Sequence, residues 1–294
     1  MKWLFFTLLP LLCAFKVTTQ GYFSKDKIKT IADSIKFNGF MFLYSAIALI
    51  LFTVRQLPSK ETIVFALILS VATISFQCFY VLAFKTGAVS LSTTEVNFGI
   101  LIPILFSIIF QGEKVSLLKI LGFALITGAI LLMPSSDKTK TNNSGVKTTK
   151  KWFFFITIAT ICSGLISLLQ NVFAKSNVAD EAEVFTALSY VFSSVLCFTI
   201  LPIFRIISKQ PLYKSDLKIN LGLILIGLAL GIYNLCAVLA QVIIPATEYF
   251  PTTSGLQILV SVIVSAITFK EVPSIKQRIG ILLAILAAIV INLR

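Results

Sequence analysis

A series of long apolar stretches limits the folds that are open to this chain. A helix that crosses the hydrocarbon core of a bilayer needs about 20 consecutive apolar residues, and about ten stretches of that length follow one another in the sequence. They do not alternate between apolar and polar residues, as the roughly ten-residue strands of a membrane barrel do. Because every backbone group in lipid needs a partner within its own segment, helices are predicted at Trp3–Thr19, Phe37–Val54, Ile63–Phe84, Val89–Phe110, Leu117–Met133, Trp152–Ala174, Val184–Ile207, Ile219–Gln241, Glu248–Phe269 and Ile275–Leu293.

The composition supports an all-α integral membrane protein and excludes several soluble classes. Hydrophobic residues make up 57% of the chain and charged residues 13%, against about 45–50% and about 25% in soluble domains. A chain of 294 residues cannot hide that much apolar surface in water, so cytosolic enzymes, secreted disulfide scaffolds and disordered proteins are excluded. Histidine, the commonest general base and metal ligand, does not occur in the sequence. We therefore expect no catalytic residues, no metal site and no cofactor.

The positions of the charges and the cysteines agree with a membrane protein. The formal net charge is +13, but the lysines are concentrated between the apolar stretches, where membrane proteins carry them. A lipid bilayer is therefore the expected partner, and nucleic acid is not. The cysteines each stand alone within an apolar stretch without metal-binding spacing, and we interpret them as small buried hydrophobic residues: Cys13, Cys78, Cys162, Cys197 and Cys236.

A polar segment divides the sequence near its middle. Residues 134–151 contain few apolar side chains and are predicted to be a flexible linker between a first unit at residues 1–133 and a second unit at residues 152–294. The N-terminal segment, Lys2 followed by Trp3–Ala14, is similar to a secretory signal peptide. Small residues at the spacing of a cleavage site do not follow it, so a retained first helix is the favoured interpretation.

The two units repeat a similar pattern of residues. A glutamate followed by a serine and a glycine at constant spacing is harder to obtain by chance than matches between apolar residues. Each unit contains about five predicted helices, an odd number, so the second unit enters the membrane from the opposite face. Such inverted repeats are typical of alternating-access transporters, although duplication can also produce an inert bundle. The strongest matches pair Glu113, Ser116, Gly122, Leu125 and Ala129 with Glu271, Ser274, Gly280, Leu283 and Ala287.

Residues 79–132 resemble a known family. They follow the order of a helix, a short break, a helix containing Pro103, the pair Gly112-Glu113 and a last helix. This order is similar to the EamA-like branch of the drug/metabolite transporter superfamily, whose members are ten-helix carriers. The second unit departs from it, with Lys270 in place of the glycine and Ser261 in place of the proline. The resemblance implies ten transmembrane helices in two inverted five-helix repeats and a transport function, without identifying a substrate.

Three charged residues within the predicted spans are candidates for substrate binding, because a charge at membrane depth is costly and is a functional hypothesis by default. Lys16 lies late in the first span, where its side chain can instead extend to the membrane–water interface. Glu95 lies near the start of the fourth span and Glu248 opens the ninth, where either can instead cap a helix. Lys16 and Glu95 are expected to form a charge pair, or Glu95 to bind a proton or a cationic group. Glu113 and Glu271 are predicted in loops, where they cap a helix or pair with neighbouring lysines.

Uncharged polar side chains within the predicted spans extend the candidate set. A single one is more often a helix–helix hydrogen bond than a ligand contact, but together they are able to line a polar path. Asn234 and Gln241 share one face of the eighth predicted helix. The glycines are interpreted as positions of close helix packing within the chain. The full set of candidate binding residues is Lys16, Gln77, Tyr80, Glu95, Asn97, Gln170, Tyr233, Asn234, Gln241, Glu248 and Gln257.

Together these features predict a secondary transporter of a small organic metabolite, an exporter or exchanger that works by alternating access. The third, fourth, eighth and ninth spans are expected to line its cavity, with the first and sixth moving as gates. The sequence has no GxxxxGK[ST] motif for ATP binding, so a gradient would supply the energy. The alternatives are an exchanger of nucleotide sugars or phosphate esters, with Lys16 as the anion-binding residue, and a membrane-embedded lipid-modifying enzyme, for which clustered acidic residues are missing.

The expected location is the cell membrane, as a multi-pass protein. The family resemblance implies cytoplasmic termini, whereas the lysines in the odd-numbered connections place both termini outside by the positive-inside rule. Both orientations stay open at this point, as does a homodimer.

Overall fold

The computed structural model of this protein describes residues 2–87, 89–132, 150–208, 211–268 and 275–292. All regular structure in these ranges is helical, with two short 3-10 turns at Asn97–Ile100 and Ala179–Glu181. Short connections separate most of the helices. The α-helices are α1 Lys2–Lys27, α2 Ile31–Phe52, α3 Lys60–Thr86, α4 Val89–Val96, α5 Leu101–Phe110, α6 Leu117–Leu132, α7 Lys150–Ala174, α8 Ala182–Ser208, α9 Leu217–Ile243, α10 Ala246–Thr268 and α11 Ile275–Asn292.

Six helices in the described part of the chain are long and apolar enough, by length and composition, to cross a membrane. They are α1, α2, α3, α7, α8 and α9. Shorter apolar helices cover Asn97–Phe110, Leu117–Ala129 and Arg278–Asn292. These helices support the prediction of an all-α, multi-pass membrane protein.

The bundle has an apolar exterior and a partly polar interior. Leu51, Phe52 and Ile206 are exposed on its surface, where lipid tails would cover them. Inside, the Ser45 hydroxyl donates a hydrogen bond to the carbonyl of Gly227 at 2.7 Å. Gly227 begins the GxxxG-type pattern of α9 and lies so close to α2 that small residues are required there. The pattern therefore packs two helices of the same chain together.

The fourth apolar stretch differs from the single helix that the sequence predicts. It consists of α4, the 3-10 turn Asn97–Ile100 and α5. Pro103 has no N–H to donate to the carbonyl of Gly99, four residues earlier, and its ring disfavours a regular α-helical turn there. Broken backbone at membrane depth is tolerated where protein covers it, and α7 packs against this turn.

The two halves of the chain interleave. The second helices of the halves, α2 and α8, pack against each other, and so do the last helices, α6 and α11. The first helix of each half packs against the third helix of the other, as α1 with α9 and α7 with α3. A two-fold axis that exchanges the halves produces this pattern. Each half therefore buries much of its surface against the other half.

A glutamate between α5 and α6 also joins the two halves. The Glu113 carboxylate accepts hydrogen bonds from the backbone N–H groups of Ala246 and Thr247 at 2.8 and 2.9 Å, at the first turn of α10. An acidic group at this position satisfies free N–H groups and complements the helix dipole. The structure thus shows the predicted capping role of Glu113 in place of a pair with Lys114. Glu271, its counterpart, lies outside the described residues.

Candidate binding cavity

A cavity of about 130 Å³ lies inside the bundle. Side chains from α1, α3, α4, the 3-10 turn, α7, α8, α9 and α10 line it. Both halves of the chain therefore contribute to its wall. The third, fourth, eighth and ninth predicted spans line the cavity as expected, and so do the first and sixth. The contribution of α8, the seventh span, was not expected.

Corresponding positions of the two halves face this cavity. In the register that aligns Gln20 with Gln170, lining residues of α1 and α7 occupy the same three positions. In the register that aligns Gln77 with Asn234, lining residues of α3 and α9 share four positions. The cavity therefore lies near the axis that relates the halves. The pairs are Cys13 with Ser163, Lys16 with Ile166, Val17 with Ser167, Thr73 with Leu230, Phe76 with Tyr233, Gln77 with Asn234 and Tyr80 with Ala237.

Nine of the eleven candidate binding residues line the cavity. The structure thus brings together residues that are far apart in the sequence, and their role in binding stays a prediction. Glu95 and Glu248 lie elsewhere. The nine lining residues are Lys16, Gln77, Tyr80, Asn97, Gln170, Tyr233, Asn234, Gln241 and Gln257.

Two related amide pairs hold the first and third helices of each half together at the cavity. In the first half, Gln20 Nε2 donates to Gln77 Oε1 at 3.0 Å. In the second half, Gln170 Nε2 donates to Asn234 Oδ1 at 2.9 Å. Buried amides need such partners, because an unsatisfied polar group inside the bundle is costly. The candidates Gln77, Gln170 and Asn234 therefore have a structural role as well as a place in the cavity wall.

Several other lining side chains are oriented by hydrogen bonds. The Tyr80 hydroxyl donates to Thr93 Oγ1 at 3.1 Å, and Gln257 Nε2 donates to the Tyr233 hydroxyl at 3.0 Å. Gln241 Nε2 donates to the carbonyl of Ala237 at 3.1 Å. In the described part of the chain, Gln241 Oε1 is buried without a hydrogen-bond donor. This oxygen can accept a hydrogen bond from a solute or a water molecule.

Lys16 is the only charged residue among the described residues that line the cavity. The residue is 5% exposed, so it does not extend to the interface. Its Nζ lies 5.5 Å from the centroid of the Tyr233 ring, within the range of a cation–π interaction. The cavity wall thus combines one cation with neutral polar and aromatic groups.

The structure places two predicted site residues away from the cavity. Glu95 lies in a shallow pocket beside Trp152, Phe153 and Thr160 on the outer side of α7. Among the described residues it makes no ion pair with Lys16, so the expected charge pair is not formed. Thr93 and Asn97 of the same stretch line the cavity, and Glu95, two residues from each, lies on roughly the opposite face of the helix. Glu248 lies in the first turn of α10 and pairs with Lys2, a position at the start of a helix that agrees with the alternative interpretation.

Polar residues of α7 and α8 in the cavity wall were missed at the sequence level. Thr186, Ser189 and Tyr190 of α8 and Ser163 and Ser167 of α7 all line the cavity. Their spacing of three and four residues was a usable signal, because it gives a polar stripe on one face of an otherwise apolar helix. Single serines and threonines are inexpensive in membrane helices and attract less notice than charges.

Comparison with known proteins decides the family. The sequence profile of the EamA-like transporter family matches residues 2–135 and residues 150–293. The chain belongs to the EamA-like transporter family. This EamA-like protein is therefore a transporter of the drug/metabolite type, and the resemblance noted in residues 79–132 is confirmed.

A solved structure supports the fold of this EamA-like protein. A crystal structure of another protein aligns with a TM-score of 0.70 over 98% of this chain and 95% of that chain, at 14% sequence identity. At that identity the likeness shows the fold alone. A comparison with curated proteins gives no match.

Proposed function

We propose that this EamA-like protein is a secondary transporter that moves a small organic metabolite across the cell membrane by alternating access. The observation that carries the proposal is the cavity between the halves, whose wall uses corresponding positions of both halves. In inverted-repeat transporters the substrate site lies at the interface of the repeats near the bilayer midplane. A two-fold related wall allows the same site to open toward either face.

Contacts between the connections support ten spans in two inverted five-helix repeats. If each apolar stretch crosses the membrane once, successive connections alternate between the two faces. Contacting connections then have to lie on the same face, and the observed pairs meet this condition. On the face of the N-terminus they are Lys2 with Glu248, Ser59 with Glu181, and Glu113 with Ala246, and on the other face Asp33 with Tyr213.

The size of the cavity favours a small solute over a nucleotide sugar. An apolar cavity of about 150 Å³ holds a molecule the size of benzene, and this cavity measures about 130 Å³. A nucleotide sugar is several times larger. The position of the cavity between the repeats, with both halves in its wall, also favours transport over the lipid-modifying enzyme, whose site would lie at the lipid headgroups.

Reconstitution into sealed vesicles tests the transport proposal. Vesicles loaded with a mixture of small metabolites are diluted, and the released compounds are measured by mass spectrometry. We expect protein-dependent release of a subset of compounds that Ala237→Leu, which fills the cavity, abolishes. Ala124→Leu makes the same change on the exposed side of α6 and should retain release. Equal release from protein-free vesicles, or from the Ala237→Leu variant, would contradict the proposal.

A further inference from the structure

We infer that Lys16 binds the negative group of the transported solute, and that this solute is a small carboxylate with one negative charge. The inference rests on the proposed transport function and names the class of solute that the cavity accepts. Three observations carry it: the missing partner of Lys16, the residue at the related position of the second half, and the charge of the cavity wall.

Lys16 lacks a polar partner in the described part of the chain. Only 5% of the residue is exposed. Among the described residues, its contact with the Tyr233 ring is its one charge-stabilising interaction. Lys36 provides the contrast, since its Nζ lies 4.5 Å from the centroid of the Tyr213 ring and also donates to the Tyr213 carbonyl at 3.0 Å. A buried ammonium without an acceptor is unfavourable. The vacant donors of Lys16 therefore fit an anionic ligand.

The fold does not require a cation at this position. Ile166 occupies the position of Lys16 in the second half and lines the same cavity. A shorter, apolar side chain therefore packs at this position in the related helix. Since the second half accepts isoleucine at this position, the unfavourable buried lysine is best explained by a solute that binds to it in the cavity.

The charge of the wall limits the charge of the solute. One cation and, among the described lining residues, no carboxylate give a wall that can neutralise one negative charge. A phosphate ester carries up to two charges at neutral pH, and its second charge would be buried without a counter-ion. The neutral donors and the aromatic rings around Lys16 suit the uncharged remainder of a small carboxylic acid.

Ligand binding to the purified protein in detergent tests this inference. The probes are acetate and benzoate, their neutral amides acetamide and benzamide, and phenyl phosphate, each added during thermal unfolding at pH 7. We expect at least one acid to raise the unfolding temperature more than its amide and, for benzoate, more than phenyl phosphate. Lys16→Met should weaken binding of that acid by about tenfold or more, the usual effect of losing a charged hydrogen bond, while Lys16→Arg should keep most of it.

A matched variant and ligand-free stability separate binding from structure. Lys36→Met should leave acid binding unchanged and lower the unfolding temperature, because Lys36 has a structural partner. Lys16→Met should raise the ligand-free unfolding temperature or leave it unchanged. Preferential binding of an amide or of phenyl phosphate, no response to either acid, or acid binding that survives Lys16→Met would overturn the inference.

The transport proposal fails in a different way. If acids bind through Lys16 but metabolite release from vesicles does not depend on the protein, the transport function is wrong and the anion site stands. If neutral metabolites alone are released in a protein-dependent manner, transport stands and the anion site is wrong.

Discussion

Two glycines allow α7 to approach the broken fourth stretch. A Cβ atom on Gly164 would lie 2.7 Å from the Gly99 carbonyl oxygen and 2.5 Å from Ile102 Cδ1, both shorter than real Cβ contacts. The backbone atom cannot move out of the way without shifting the 3-10 turn. The close approach thus places Asn97 beside the residues of α7 that line the cavity.

Gly164→Ala should destabilise the protein by about 1–3 kcal/mol, the usual cost of overpacking a tight contact. Thermal unfolding in detergent measures the change. Gly128→Ala is the control, because its Cβ would meet its nearest neighbour, Leu283 Cδ1, at 3.6 Å, and alanine stabilises a helix by roughly 0.5–1 kcal/mol relative to glycine. Equal effects of the two substitutions would show that the approach of α7 is not tight.

Glu95→Gln should leave protein-dependent metabolite release and its pH dependence unchanged. The side chain lies in the outer pocket with Trp152 and Phe153, away from the cavity, so it is not expected to take up a proton during transport. Release assays between pH 6 and pH 8 compare the variant with the wild type. If the variant lost the pH dependence of release, Glu95 would take part in the transport mechanism.

The sequence indicates which residues are costly in a membrane, but not which direction they face. Lys16 and Glu95 are equally conspicuous among apolar neighbours, and only one of them reaches the cavity. Gln20 and Gln170 are recognisable as related positions, whereas their partners on α3 and α9 depend on helix rotation. Rotation follows from packing between helices, which one sequence does not give.

At the scale of elements, the start of α10 illustrates how a loop residue supports a helix. Glu113 follows Gly112, whose φ of 65° lies in the left-handed region that favours glycine. This turn directs the glutamate toward the first N–H groups of α10. The Gly-Glu pair that carries the family resemblance therefore has a structural task between the two halves.

Glu113→Ala should lower the free energy of unfolding by about 1–2 kcal/mol, the typical effect of removing a helix cap. The loss has two parts, since two backbone N–H groups of α10 lose their acceptor. Glu61→Ala serves as the control, because Glu61 is exposed in the first turn of α3. Denaturation of both variants in detergent measures the change. An equal loss of unfolding free energy in both variants would show that the cap is not the cause of the effect.

The apolar stretches predict the helices well because length and polarity are both imposed by the bilayer. The fourth stretch is the exception. Pro103 was visible in the sequence, but proline is tolerated in many membrane helices, as Pro10 within α1 and Pro202 within α8 show. What distinguishes Pro103 is the combination of Asn97, Gly99 and a covering helix, which becomes apparent in three dimensions.

At the scale of the whole molecule, an even number of spans places both termini on one face of the membrane. Lys2, near the N-terminus, pairs with Glu248 at the connection between α9 and α10, in agreement with this arrangement. Reporter fusions to the N-terminus and to the C-terminus should therefore report the same side. Fusions that report opposite sides would mean that one apolar stretch does not cross, and the result also decides between the two orientations.

The repeat in the sequence predicts two related halves but not how they are arranged. Matches such as Glu113 with Glu271, and the match of both halves to one family profile, show that the halves are related, and an odd number of helices would imply their inversion. They do not show whether the halves stand side by side or share their cores. The packing of α2 against α8 and of α6 against α11 answers that question.

Because the cores are shared, neither half of the polypeptide has a complete interior of its own. A fragment that ends after α6 would expose the surfaces that α8, α9 and α11 cover in the intact protein. Cutting the chain in the segment at residues 134–151 should therefore give two pieces that are degraded when made separately. The same pieces should accumulate and assemble when both are made together in one cell.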